Sequence, residues 1–313
     1  MLTLHVATHD PYVNLALEEY IFSSRTEDDI FYLWRNSPAV VVGSFQNILR
    51  EVSMPMLHRM NIPVLRRISG GGTVYHDLGN VNYTYITSHS AVTDYDDFLS
   101  PVIQGLNALG IPAQKNRNSD IAINGRKISG SAQRSSNGRV LHHGTLLFAS
   151  DLTALDRITV QNKNFDMHTK GTPSAICTVT NICEYTNAFP TIQDFERALL
   201  TQMLPSGTQT IQLDRTEQSD VIRLAREKYQ SWEWTWGRTP AFVFQKEGIF
   251  GGAPIRVRYT AKHGYLSDVQ VDCVALPDLS ERLEGHKLDP DTMYTLCRTV
   301  SSPHAFELLS CLL

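Results

Sequence analysis

The 313-residue chain has no surplus of either charge: 28 Lys and Arg stand against 32 Asp and Glu, a formal net charge of −4. That balance excludes a nucleic-acid binder working by bulk electrostatics, while leaving room for a local basic patch. No apolar run approaches the roughly 18 residues that suggest a membrane span. The five cysteines, Cys177, Cys183, Cys273, Cys297 and Cys311, are odd in number, widely spaced and without a CxxC pair. They fit a reducing compartment better than a disulfide framework or a zinc site. There is no HExxH, no GxxxxGK[ST] phosphate loop, no internal repeat and no low-complexity tract. The opening "MLTLHVATHDPYVNLALEEY" has neither the build of a signal peptide nor the Arg/Ser-rich composition of a transit peptide. Asn82-Tyr83-Thr84 spells a glycosylation sequon, which without a secretion route reads as chance. A cytosolic protein of enzyme size is what these absences leave.

The remaining pattern mixes strands and helices without regular βαβ alternation, so the expected class is α+β. "DPYVNLALEEYIFSS" predicts a helix with Pro11 in its first turn. "IFYLW" and "AVVVG" predict two buried strands joined by a turn at Arg35–Pro38. "VSMPMLHRMNI" predicts a helix leading into the strand "PVLRR". "TVYHD", "NVNYTYI", "SDIAING", "RKISGSAQR" and "RVLHHGTLLF" read as strands, and "DYDDFLSPVIQGLNALG" as a helix stopped by Gly110. "TIQDFERALLTQML" and "SDVIRLAREKYQSWEW" read as amphipathic helices. Behind Pro240, "IRVRYTAKHGYLSDVQV" predicts a hairpin turning at Lys262-His263-Gly264. We place a boundary at residue 245, giving a large domain 1–245 and a small α+β domain 246–313.

Three stretches carry chemistry. In "RRISGGGTVYHDLGN", residues 66–80, consecutive glycines leave backbone N–H groups uncovered for an anion, and Arg66 and Arg67 add fixed cations. A glycine-rich bulge with solvent-facing arginines is the alternative on this stretch alone. In "NGRKISGSAQR", Lys127 stands among small residues and could reach into a pocket to balance phosphate charge; a lone lysine is more often a surface one. In "LHHGTLLF", adjacent histidines face opposite sides of a strand, so only one can enter a given site. Taken alone, a half-buried structural histidine is the simpler reading.

Together the three read as RRxxGGGxVxHDxGN, GxKxSGSA and HHGTLL, and in that order they resemble the lipoate–protein ligase A family. The resemblance runs upstream through "NLALEEYIF", "FYLWRN" and "VVVGSFQN". It runs downstream through "KGTPSAICTVTNI", "SWEWTWGRTPAF" and "FGGAPIRV", covering nearly the whole chain.

The resemblance implies the mixed-sheet fold of biotin and lipoyl ligases, related to class II aminoacyl-tRNA synthetases, with a small C-terminal domain. It implies activation of lipoate by ATP and Mg2+ to lipoyl-AMP, then transfer to a lysine. The carriers it implies are lipoyl domains of 2-oxoacid dehydrogenase E2 subunits or the glycine-cleavage H protein. A monomer in the cytoplasm, with no nucleic-acid or membrane partner, is expected. Residue by residue, Arg67, Gly70, Gly71, Gly72, Thr73, Val74 and Tyr75 match the contacts to nucleotide and lipoyl carboxyl end. Asn80 matches the adenine contact, Lys127 the central catalytic lysine, Asp120 an acidic position facing it with a possible magnesium, and His143 a histidine near the lipoyl pocket. The carrier's acidic hairpin implies a basic rim, for which Arg134, Arg139, Lys163 and Lys170 are candidates. The chain departs from the family at Ile176 and Thr178, where bacterial ligases carry arginines. Cys177 lies in the same segment and, with Cys183, opens an alternative: a lipoyl- or octanoyltransferase with a cysteine nucleophile, fed by preformed lipoyl-AMP or an acyl carrier. A non-catalytic nucleotide- or lipoate-binding module is the alternative of another class. An unbroken Gly-Gly-Gly disfavours a biotin ligase.

Overall fold

A computed structural model describes residues 1–26, 28–87, 94–117, 119–159, 165–171, 173–175 and 177–313. The chain divides into two compact units, each discontinuous in sequence. The first gathers residues 1–44, 65–152 and 175–230; the second gathers 45–64, 153–174 and 231–313. The boundary expected at residue 245 falls inside the strand Phe242–Phe250, which pairs with Phe165–Thr169 on one side and Ala253–Lys262 on the other. A composition shift near Pro240 marks where the chain enters the second unit for good. It cannot reveal the two earlier segments that the unit has already collected.

The first unit is built on an eight-stranded sheet. Its order in space is Gln209–Ile211, Leu2–Leu4, Ile30–Trp34, Asn80–Thr87, Arg139–Leu147, Arg126–Ser136, Asp120–Ile123 and Gln114–Asn116. The first two pairings are parallel and the rest antiparallel. One face is apolar: Val81, Tyr83, Tyr85, Val140 and Leu146 pack with Phe98, Leu99, Val102, Phe195 and Leu199 of the helices Asp96–Ala108 and Ile192–Met203. The register sets Asn80 opposite Leu147, Asn82 opposite Thr145, and Thr84 opposite His143. Strand periodicity therefore gathers Asn80, Asn82, Thr84, His143 and Thr145 on the other, polar face.

Ile30–Trp34 and Ala39–Val42 form as expected but do not belong to one sheet. The second, buried along its whole length, is the middle strand of a separate three-stranded sheet with Val64–Arg66 and Val74–His76. The corner between them is held by side chains. Asn14 donates to the Arg35 carbonyl at 3.0 Å and to Asn36 Oδ1 at 2.9 Å, and Asn36 donates to His76 Nδ1 at 3.0 Å. These buried amide bonds outcompete a hairpin ladder, and apolar runs alone carry no sign of them. The helix Pro11–Ser24 begins as predicted, with Asp10 accepting from the Tyr12 and Val13 amides. The stretch "SDVIRLAREKYQSWEW" departs from a plain helix: Arg215–Leu224 is α-helical, while Ala225–Tyr229 and Glu233–Gly237 widen to π-turns. Within the first unit, the turn at Ala225–Tyr229 lets Lys228 and Tyr229 both reach Glu19, at 2.6 and 2.8 Å.

The second unit has a four-stranded antiparallel sheet, Phe165–Thr169, Phe242–Phe250, Ala253–Lys262 and Tyr265–Asp272. The predicted hairpin turn is present, with His263 and Gly264 both left-handed. Helices Leu279–Leu283, Pro290–Val300 and Ala305–Leu312 cover the sheet through Leu283, Met293, Cys297, Leu308 and Leu309. The ending "SSPHAFELLSCLL" is thus core rather than tail. No helix among the described residues is long and apolar enough to cross a membrane.

Candidate active site

The glycine loop is held from within. Arg66 is fully buried and donates to the Gly43 carbonyl at 2.9 Å, so it fastens two chain segments and faces no solvent. Arg67, 5% exposed, wraps the loop. Its Nε donates to Ser69 Oγ at 2.9 Å, Nη1 to the Val41 carbonyl at 3.1 Å, and Nη2 to the carbonyls of Gly70 and Gly72 at 2.5 and 2.7 Å. Burial pushes its guanidinium down to about 10, against the raising effect of the Glu18 carboxylate. The alternative of solvent-facing arginines is therefore wrong for both residues. Arg67 is a loop clamp first, with its donors already engaged by carbonyls.

The loop packs so closely that glycine is required twice. A Cβ on Gly43 would lie 2.2 Å from the Gly71 carbonyl oxygen, and Gly71 itself is left-handed at φ +83°. Gly70 differs, because a Cβ there would meet nothing within 4 Å. That gives the loop one open backbone face. Downstream, burial pushes the Tyr75 phenol up to about 12, with Asp77 and Asp151 adding to it. Val74 and Tyr75 lie in the strand Val74–His76.

Lys127 sits at a register shift where Arg126–Ser136 pairs with Asp120–Ile123. Its ammonium lies 2.8 Å from Asp120 Oδ1, with side chains 22% and 8% exposed. Gly130 makes this possible: a Cβ at that position would come within 2.8 Å of Lys127 Nζ. The lysine backbone is pinned on its other side, donating to the Thr178 carbonyl at 2.9 Å and accepting from the Thr180 amide at 3.0 Å. Gly130 stands opposite Asp120, and Thr145 Oγ1 accepts from the Gly130 amide at 3.2 Å. Lys127, Asp120, Thr145 and Asn82 thus form a row across the polar face. Asn80 donates to Asn82 Oδ1 at 3.0 Å, leaving Asn80 Oδ1 and Asn82 Nδ2 buried without a protein partner. The pair offers one acceptor and one donor on the polar face.

His143 is the histidine that enters this face. Its Nε2 lies 2.7 Å from Ser69 Oγ and its Nδ1 2.8 Å from Glu18. His142 turns to the apolar side, stacked on Phe98 at 4.6 Å, where burial pushes its imidazole down to about 3. The sequence reading placed one histidine on each side, and that is what the register gives.

A magnesium site does not follow from the chain alone. Among the described residues no three His, Cys, Asp or Glu side chains come together to hold a metal ion. Asp120 is the single carboxylate at Lys127 and is in contact with its ammonium. The residues do not fit a resident metal, so no step is routed through one; a magnesium ion would have to arrive on substrate phosphates.

Sequence reasoning missed Glu18, Ser69, Asn82 and Thr145. The N-x-N-x-T alternation at 80–84 pointed to the two amides and Thr84 sharing a face. Of the rim candidates, Arg139 is buried and donates to the Thr26 carbonyl at 2.6 Å, and Arg134 donates to the Ile68 carbonyl at 3.0 Å. Lys170 is exposed, while Lys163 and Ile176 lie outside the described residues. All five cysteines are free. Burial, with Glu184 beside it, pushes the Cys183 thiol up, which suppresses the thiolate a nucleophile needs. Asn82, the asparagine of the sequon, is buried.

A half-buried lysine paired with a buried aspartate thus lies beside a clamped glycine loop on the polar face of a mixed sheet. The family model of the lipoyl protein ligase A/B catalytic domain matches residues 10–204. The lipoate-protein ligase LplJ of Bacillus subtilis (strain 168) is 31% identical over 312 residues, spanning 95% of this chain and 93% of the relative. A T. acidophilum protein of the lipoate protein ligase type, solved with bound lipoic acid, superposes with a TM-score of 0.65 at 25% identity, covering 75% of this chain and 98% of that one. A lipoate-protein ligase A solved with bound ATP gives a TM-score of 0.63 at 25% identity, covering 75% and 97%. The chain belongs to the lipoate–protein ligase A family, and it is an enzyme with that family's α+β fold.

Proposed function

We propose that this chain activates lipoate with ATP and passes the lipoyl group to a lysine of a carrier protein. A lipoate carboxylate oxygen attacks the α-phosphorus, the bond to the β-phosphate oxygen breaks, and pyrophosphate leaves with the lipoyl-AMP anhydride retained. The ε-amine of the acceptor lysine then attacks the acyl carbon, the acyl–oxygen bond to AMP breaks, and the amine releases its proton. The observation that carries the reading is the Lys127 ammonium, held by Asp120 over Gly130 in the same row as Asn82, whose Nδ2 has no partner among the described residues. Bringing two anions together demands a fixed cation and preset donors, which cost no reorganisation when the charge develops.

In this reading Lys127 is the catalytic residue, contacting the α-phosphate in the first step and the acyl carbonyl in the second. Gly70, Gly71, Gly72 and Thr73 offer backbone to the phosphate, and Val74 and Tyr75 border the nucleotide. Asn80 supplies the amide for the base. Arg67 and His143 hold the loop in place. A magnesium ion would arrive on the nucleotide phosphates, with Asp120 the carboxylate at Lys127. The first unit carries the chemistry and the second is accessory. The acceptor is a lipoyl domain of a 2-oxoacid dehydrogenase E2 subunit or the glycine-cleavage H protein, and the enzyme acts as a cytoplasmic monomer. The five free cysteines suit that compartment.

Lipoate-dependent ATP–pyrophosphate exchange by the purified chain, with magnesium and no carrier, tests this directly. Exchange above the lipoate-free rate is expected. Folded protein that shows none would move the assignment to a transferase fed by a preformed acyl donor.

A further inference from the structure

We propose that Glu18 is a positioning residue, the anionic anchor of a buried hydrogen-bonded chain that sets the glycine loop through His143, Ser69 and Arg67. The proposal rests on the ligase reading above.

The chain runs without a gap. Trp34 Nε1 donates to Thr84 Oγ1 at 2.8 Å, and Thr84 donates to Glu18 Oε1 at 2.8 Å. His143 Nδ1 meets both Glu18 oxygens at 2.8 Å, His143 Nε2 meets Ser69 Oγ at 2.7 Å, and Arg67 Nε meets Ser69 Oγ at 2.9 Å. Every member is buried, Glu18 to 1% exposure. Arg67 then reaches the carbonyls of Gly70 and Gly72.

The direction of each proton follows from what each group can do. The Trp34 indole and the Arg67 guanidinium can only donate, and the Glu18 carboxylate can only accept. Thr84, already accepting from Trp34, has one hydrogen and gives it to Glu18. Ser69 accepts from Arg67, and the acceptor within reach of its own hydrogen is His143 Nε2. His143 must therefore carry its single proton on Nδ1, directed at Glu18. The Glu18 carboxylate lies at one end of the chain and the Arg67 guanidinium at the other. Five separate stretches, the first helix, strands Ile30–Trp34, Asn80–Thr87 and Arg139–Leu147, and the loop itself, are tied into one polarised unit. Neutralising Glu18 or deleting the Ser69 hydroxyl removes the reason for His143's tautomer and frees the clamp. A half-satisfied buried network is worse than none.

Two measurements test this. The first is a double-mutant cycle in ATP–pyrophosphate exchange with Glu18→Gln, Ser69→Ala and the pair. Each single variant is expected to lose about 10- to 100-fold in kcat/KM, and the pair no more than the worse single, because both break the same chain. Multiplicative losses would mean two independent packing defects and would overturn the proposal. The second is a 15N spectrum of the histidine-labelled chain at pH 7, with His143 assigned by comparison with His143→Gln. A neutral ring protonated at Nδ1, whose tautomer ratio shifts in Ser69→Ala, is expected. A ring protonated at Nε2, or at both nitrogens, overturns it. The spectrum needs no turnover, so a wild type that fails to exchange would sink the ligase reading and still leave the chain decided.

Discussion

Two single-methyl substitutions separate the packing of the glycine loop from the room it leaves for a ligand. At Gly43 an added Cβ would lie 2.2 Å from the Gly71 carbonyl oxygen and 3.2 Å from Gly70 backbone atoms. Backbone cannot swing aside as a side-chain tip can, so restoring even a 3 Å contact displaces the loop by about 0.8 Å. Overpacking of that kind costs about 1–3 kcal/mol. A comparable misplacement of reacting groups costs on the order of 10²-fold in rate. At Gly70 the added Cβ meets nothing, and the backbone there is not left-handed. Thermal unfolding and ATP–pyrophosphate exchange should be run on both variants. Gly43→Ala should melt several degrees lower, at roughly 2–4 °C per kcal/mol for a protein of this size, and exchange about a hundredfold more slowly. Gly70→Ala should melt within about 1 °C of wild type, and its loss of exchange, about tenfold or more in KM for ATP or lipoate, measures how closely substrate lies against bare backbone. Wild-type melting and exchange in Gly43→Ala would refute the close approach. Full exchange in Gly70→Ala would remove that residue from the site.

Further outcomes follow from the same geometry. Lys127→Gln should reduce exchange about 10²–10³-fold with little change in melting temperature, and Lys127→Arg should not restore it, since the gap over Gly130 admits an ammonium and not a planar fork. A Gln variant with half the wild-type rate would show that the lysine is not the reacting cation. His76 and His142 are both pushed down to about 3, chiefly by burial. Unfolded imidazoles titrate near 6.5, so between those values the unfolded chain binds protons that the folded one refuses. Stability is therefore level above about pH 6.5 and falls as pH drops, by about 2 kcal/mol per histidine at pH 5. His142→Phe should lose correspondingly less unfolding free energy in urea between pH 7 and 5; equal losses would contradict a neutral His142. Cys177→Ser and Cys183→Ser should leave exchange and carrier lipoylation intact, whereas loss of transfer alone in either would favour a thioester route.

The elements of the fold were legible where one rule decided them. The period-2 run "NVNYTYI" reads as a strand and forms one, and the adjacent histidines face opposite sides of theirs, because a strand has only two faces. The site motifs were legible as letters through the family resemblance, while the contact of Lys127 with Asp120 over Gly130 emerges only in the fold. What escaped was long-range. Nothing local in "NLALEEYIF" distinguishes Glu18, the end of a buried network, from Glu19, which binds Lys228 and Tyr229. Arg66 and Arg67 looked like ligand cations because carbonyl partners at Val41 and Gly43 lie over twenty residues away. Ile30–Trp34 and Ala39–Val42 were legible as two buried strands joined by a turn but not as members of different sheets, because the Asn14 and Asn36 amides at the corner carry no periodicity.

The second unit is collected from pieces that the ribosome delivers far apart. Leu49 and Met54 pack in the same core as Phe244, Leu296 and Leu309. At about 5–20 residues per second, the stretch ending at residue 64 waits roughly 12 to 50 s for residue 313 to be made. Through that interval its apolar side chains have no core to enter, and neither does the strand Phe165–Thr169, whose partner Phe242–Phe250 comes later. Biosynthesis thus leaves two sticky segments waiting in the nascent chain. A messenger that stalls beyond residue 174 strands both of them.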